Sequence, residues 1–223
     1  MSRADAFKTQ AFYDSNYHSH VNQKPMEDEV YFQGQAVLRR ELYFRDIEGK
    51  RVLEFGCGLG QNIALIPGAA GFDASREARE HCQKRGLKVF AKATQVPKGK
   101  WDIVLCRHVL EHLEDPLSAL RLMRNFLSPG GQLYLVLPRD KDEPSGLEPD
   151  IHQHLFTWNF RAANNLLNRA GYKVVRNEYR YFQGVRLFLP LKKFLGDKVY
   201  VTAVQALGRS MGQGEFFLVA EAK

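Results

Sequence analysis

The sequence of 223 residues holds only three cysteines, Cys57, Cys82 and Cys106, an odd number at wide spacing. That pattern excludes a disulfide framework and supplies no CxxC half-site for a metal. The thiols read as small buried hydrophobes. No apolar run approaches the roughly 20 residues that a membrane-spanning helix needs. The opening Met1-Ser2-Arg3-Ala4-Asp5 lacks the apolar stretch of a secretory signal, so a cytoplasmic location is expected. Internal repeats and low-complexity tracts are missing too.

What is present fits one α/β domain, and the length is too short for two ordinary ones. The net charge is +7, and it is located: residues 169–209 hold nine Lys or Arg against only Glu178 and Asp197. Such a basic face suits an anionic substrate, lipid headgroups or RNA, although a solvated face explains it equally well. Residues 1–46 are polar and aromatic-rich and read as a helical lid or extension. A core over 47–181 and a C-terminal amphipathic insertion with a last strand over 182–223 complete the expected single domain.

Within the core, strands and helices alternate. Arg51–Phe55, Ala69–Phe72, Leu87–Ala91, Trp101–Cys106 and Gln132–Leu137 read as short strands, the fourth nearly all apolar, as burial on both faces requires. Ser75 caps a helix that runs to Gly86. Asp115-Pro116 opens another, stopped by Ser128-Pro129-Gly130-Gly131, and Thr157–Ala170 forms a third. Tyr172–Tyr181 and Glu215–Ala222 are the last strands. The expected fold is a Rossmann-like, doubly wound, seven-stranded, mostly parallel sheet with helices on both faces.

In such a sheet a ligand binds beyond the carboxyl ends of the strands, where Gly56, Gly58 and Gly60 fall. The spacing is G-x-G-x-G, not the G-x-G-x-x-G that seats a pyrophosphate on a helix N-terminus. Glu54, two residues earlier, suits a cationic ligand such as the amino group of a methionine moiety. Asp73, 19 residues after Glu54 at the end of the second strand, can accept both hydroxyls of a ribose. A plain tight strand-to-helix connection is the alternative for the glycines by themselves.

Val52-Leu53-Glu54-Phe55-Gly56-Cys57-Gly58-Leu59-Gly60 resembles the first motif of class I S-adenosylmethionine (SAM)-dependent methyltransferases, and Gly71-Phe72-Asp73-Ala74-Ser75 their second. Trp101–Val104, His108–Pro116 and Leu127–Gly131 continue the resemblance, which covers about residues 50–180 and is nearest to the quinone-biosynthesis-type and small-molecule branch. It implies SAM as cofactor and a small-molecule acceptor. Glu54 and the backbone at Gly56, Gly58 and Gly60 would face the methionine part, and Asp73 with Ala74 the ribose. Ala93 and Thr94 would flank the adenine, and Cys106 and Arg107 would line the site. Tyr17, with Tyr13, His18 and His20, would contribute a lid, or else an ordinary aromatic packing helix. Lys92 stands where relatives carry an acidic residue for the adenine amino group. The stretch from Gly60 to Ala69, with Pro67, predicts an abbreviated helix. The chain also lacks the Asn/Asp-Pro-Pro-aromatic motif after the fourth strand, which argues against methylation of a nucleobase amine.

His108-Val109-Leu110-Glu111-His112 matches H-x-x-E-H, an inverted zinc-peptidase pattern that needs one long helix through both histidines. Asp115-Pro116 interrupts any such helix, so no metal is expected and His112 reads as structural. His152 and His154 follow the fifth strand, where the resemblance implies the acceptor side. Either could take a proton from an acceptor hydroxyl, or could simply cap or pack the loop. Leu187, Phe188, Leu191, Phe194 and Leu195 share a helical face opposite Lys192 and Lys193, suited to a membrane surface, to an apolar acceptor, or to packing on the core. Transfer to an oxygen of a hydrophobic or anionic small molecule is the leading expectation. RNA binding or modification through the basic face is the second, and a zinc peptidase the third.

Overall fold

The structure, a computed structural model, describes residues 28–140 and 154–223. Helix α1 (Glu29–Tyr43) is capped by the Asp28 side chain, which accepts from the Tyr31 N–H. Strand β1 (Val52–Phe55) leads into the glycine turn and β2 (Ala70–Phe72) follows. Helix α2 (Arg76–Lys84) starts at Ser75, whose hydroxyl accepts from the Ala78 N–H, as its N-cap position predicts. Then come β3 (Lys88–Phe90), β4 (Trp101–Arg107), α3 (Pro116–Arg124), β5 (Leu127–Pro138), α4 (Phe160–Arg169) and β6 (Tyr172–Tyr181). Helices α5 (Val185–Leu195) and α6 (Asp197–Ser210) break at Gly196, and β7 (Gly214–Ala222) closes the chain.

The seven strands form one sheet in the order β3-β2-β1-β4-β5-β7-β6. β7 runs antiparallel to both β5 and β6, and the other pairings are parallel, as expected. Apolar cores cover both faces. One holds Leu53, Val104, Leu135 and Leu218 against Leu120 and Met123 of α3 and Leu167 of α4. The other holds Val52, Leu105, Val136 and Phe217 against Leu38 and Leu42 of α1 and Tyr200 and Val204 of α6. Side chains on the second face, Glu54 and Arg107 among them, therefore end beneath α1.

Two boundaries differ from expectation. Ser128-Pro129-Gly130-Gly131 lies inside β5, because α3 already ends at Asn125. The abbreviated helix after the glycine turn is absent. Residues 57–69 descend instead through successive three-residue turns, with Gly60, Ile63, Ile66 and Ala69 each donating to the carbonyl three residues back, at 2.9–3.2 Å. Gly56, Gly58, Gly60 and Gly68 all have positive φ, and Pro67 lacks an N–H, so too few residues remain for a helical nucleus. Ile63, Ile66 and Ala69 still bury their side chains. A ligand at this turn meets side chains and loop N–H groups, not the end of a helix.

Candidate cofactor and acceptor site

β1 and β2 end side by side, and the N–H groups of Gly56 and Cys57 both donate to the Phe72 carbonyl, at 2.8 and 3.0 Å. Gly56 has φ +74°, and a Cβ there would collide with Val109 Cγ2. Asp73, just past β2, holds the turn from the other side. Its Oδ2 accepts from Gly58 N–H at 2.7 Å and its Oδ1 from Ser75 N–H at 2.8 Å. Each oxygen keeps a further lone pair, so two hydroxyls of a ribose can still be accepted. Ala74 is exposed beside it.

Glu54 is fully buried. Asn62 Nδ2 donates to its Oε1, whereas Glu54 Oε2 and Asn62 Oδ1 have no hydrogen-bond partner. Burial pushes the Glu54 carboxyl up to about 8, against the pull of the Asn62 hydrogen bond and of Arg107. Two orphaned acceptors beside a glycine turn fit the ammonium of a methionine moiety, whose N–H groups would satisfy both. Nothing in the sequence singles out Asn62, a polar residue before the apolar Ile63; its burial emerges only in the fold.

Ala93 and Thr94, expected to flank an adenine, lie in the single turn Ala93–Gln95 after β3, with Thr94 exposed. Lys92 is exposed, and its N–H and that of Ala91 donate to Gln95 Oε1. Cys106 does not line the site as expected: it is fully buried in the core, paired in register with Phe55 and Leu135, because its side chain points to the α3 face. Arg107, on the opposite face, turns to Glu215 and Tyr43. Its Nη2 donates to Glu215 Oε2 at 2.9 Å and its Nε to the Tyr43 hydroxyl at 3.2 Å. Arg39 of α1 reaches the same carboxylate at 3.5 Å and lies over the Phe182 ring at 4.3 Å. Burial raises Glu215 to about 7, with Arg39 opposing.

His154, expected on the acceptor side, has its Nδ1 3.0 Å from Asp140 Oδ2, and its ring meets the His112 ring edge-on at 5.0 Å. Glu111 beside them is buried, and neither of its carboxylate oxygens has a hydrogen-bond partner. Burial pushes it up to about 7. Among the described residues, Glu111, His112 and His154 bring one ligating atom each within 4.8 Å of one another. The zinc-peptidase pattern is not built: Leu110–His112 is a single 3₁₀ turn, and His108, at φ +52°, places its Nε2 2.8 Å from Glu215. Tyr13, Tyr17, His18, His20 and His152 lie outside the described residues.

The profile of the methyltransferase domain family matches residues 29–177, from α1 into β6. The chain belongs to the SAM-dependent methyltransferases. Its curated relatives include the ubiquinone biosynthesis O-methyltransferase of Bordetella pertussis, 35% identical over 103 residues, or 40% of this chain and 42% of that one. The corresponding enzyme of Vibrio parahaemolyticus is 33% identical over 122 residues, 48% of each chain. The methyltransferase thus spans less than half the length of these relatives. Its fold is shared with Haemonchus contortus phosphoethanolamine N-methyltransferase 2 in complex with SAM (TM-score 0.61, 17% identity, covering 95% of this chain and 59% of that one). A TehB-like SAM-dependent methyltransferase from Corynebacterium glutamicum has the same fold (0.57, 15%, covering 96% and 100%).

Proposed function

We propose that this methyltransferase binds SAM at the glycine turn and transfers its methyl group to an oxygen of a small-molecule acceptor, hydrophobic or anionic. The observation that carries the reading is the buried Glu54–Asn62 pair, with an orphaned acceptor on each side chain, next to Gly56 and Asp73. SAM supplies an already activated methyl group, so alignment of the acceptor does much of the work. Glu54 and Asn62 take the ammonium, and Asp73 and Ala74 take the ribose. The Gly58 and Gly60 backbone lines the methionine part, and Ala93 and Thr94 flank the adenine. On the acceptor side His154, with Asp140 at its Nδ1, orients the acceptor hydroxyl and accepts its proton. The names of the curated relatives support oxygen as the methylated atom. A cytoplasmic location fits as well, since no helix among the described residues is long and apolar enough to cross a membrane.

A second reading gives Glu111, His112 and His154 a divalent cation, which their converging atoms favour. Metal analysis of the purified protein separates the two: stoichiometric metal would make His154 a ligand and remove it as a base. RNA modification has less support, because Arg176 and Arg180 pair with Glu178, Arg186 with Asp28 and Lys192 with Asp197. Helix α5 packs inward through Val185, Phe188 and Leu189 and leaves Leu187, Phe194 and Leu195 exposed beside Lys193, a surface suited to anionic lipid. Calorimetry with S-adenosylhomocysteine tests the core of the proposal. A folded protein that binds neither it nor SAM would end it.

A further inference from the structure

Among the described residues His108 is the one non-glycine residue with positive φ, +52°, a conformation in which a Cβ crowds the backbone. Its N–H continues the sheet, donating to the Val136 carbonyl at 3.0 Å. Its side chain gains no aligned hydrogen bond in return. Nε2 lies 2.8 Å from Glu215 Oε2, off the N–H direction, so the contact is electrostatic. Glu215 is itself immobilised, 1% exposed and gripped by Arg107 and Arg39. About a third of the imidazole, 33%, stays open.

The position is as telling as the strain. The next residue, Val109, packs on Gly56 of the cofactor turn, and Glu111 and His112 follow within a turn of chain. His108 therefore stands where the methyl-bearing end of the cofactor and the acceptor wall meet. Backbone strain held at such a junction is characteristic of a working side chain.

We propose that His108 is a catalytic residue of the acceptor side, the second imidazole–carboxylate pair beside His154–Asp140. As the acceptor oxygen bonds the methyl carbon and the carbon–sulfur bond breaks with its electron pair on sulfur, the acceptor's O–H proton passes to His154, while the neutral His108 imidazole hydrogen-bonds the acceptor and aligns it. Burial, the charges of Arg107 and Arg39, and His154 and His112 keep the imidazole neutral, as a hydrogen-bonding partner of the acceptor requires. This role rests on the methyl-transfer reading.

The test compares wild type, His108→Gly and His108→Ala in complex with S-adenosylhomocysteine. Glycine alone relieves the φ, so His108→Gly is expected to melt at or above wild type and His108→Ala below His108→Gly, with cofactor affinity within twofold throughout. In wild type labelled with ¹⁵N-histidine, adding 4-nitrocatechol as a phenolic probe should move the His108 ring-nitrogen signals. His108→Gly melting well below wild type would make the side chain structural, and signals that stay still up to the solubility limit of the probe would keep it from the acceptor; either result overturns the proposal. S-adenosylhomocysteine that fails to bind wild type ends the methyl-transfer reading instead, and this role with it.

Discussion

Replacing Glu54 by glutamine leaves its shape and its bond with Asn62 almost intact and removes a buried charge whose pKa stands near 8. A carboxyl raised in the folded state favours folding while it is protonated. That contribution is complete below the unfolded pKa, about 4.5 for a glutamate, and is lost as pH rises towards 8. At about 1.4 kcal/mol per unit, the proton that folding must take up on Glu54 costs about 2–3 kcal/mol of stability between pH ~5 and ~7. Glu111 and Glu215, raised to about 7, add slopes of the same sign in both proteins, so the difference between wild type and Glu54→Gln isolates Glu54. Denaturant unfolding at several pH values should show the variant gaining on wild type as pH rises. Cofactor binding should show the converse. An ammonium beside Glu54 favours the carboxylate, so S-adenosylhomocysteine should expel close to one proton from wild type near neutral pH and fewer from Glu54→Gln. Calorimetry in buffers of different ionisation enthalpy counts those protons. Parallel stability curves together with equal proton release would show that Glu54 neither titrates with folding nor meets the ammonium.

Asp73→Ala should weaken S-adenosylhomocysteine binding by tenfold or more and cost about 1–3 kcal/mol, since the N–H groups of Gly58 and Ser75 lose their acceptor; calorimetry and denaturant melts measure both. Gly56→Ala adds a Cβ at positive φ against Val109, so cofactor affinity should fall with a loss of about 1–3 kcal/mol of stability, read in the same assays. Phe194→Ser should reduce sedimentation with vesicles rich in anionic lipid while melting like wild type, because Phe194 is 75% exposed; unchanged sedimentation would remove the lipid surface.

Much of the fold is local chemistry and is legible from the chain. Ser75 caps α2, Asp115-Pro116 opens α3 and Gly171, at φ +90°, ends the turn before β6, because caps and positive-φ glycines act on their immediate neighbours. The alternation of strands and helices, the glycine turn, Glu54 and Asp73 are local in the same sense, and they suffice for the architecture and the cofactor class. What lies between elements is not local. The short stretch with Pro67 predicts an abbreviated helix after Gly60, but the positive-φ glycines around it leave only turns there. The family resemblance implies Cys106 at the site, whereas the alternation of β4 sends it into the core and Arg107 to the other face.

By itself, then, the sequence determined the strand and helix order and the places of the glycine turn, Glu54 and Asp73 at the strand ends. Only the tertiary structure decided which charges share a buried space. Asn62 meets Glu54 because the chain descends in turns, and His154 reaches His112 across the end of the sheet. Arg39 and Arg107 converge on Glu215, 176 and 108 residues away along the chain, because β7 inserts between β5 and β6 beneath α1. Sheet order is set by burial of both faces over the whole chain, and no window of sequence holds that information.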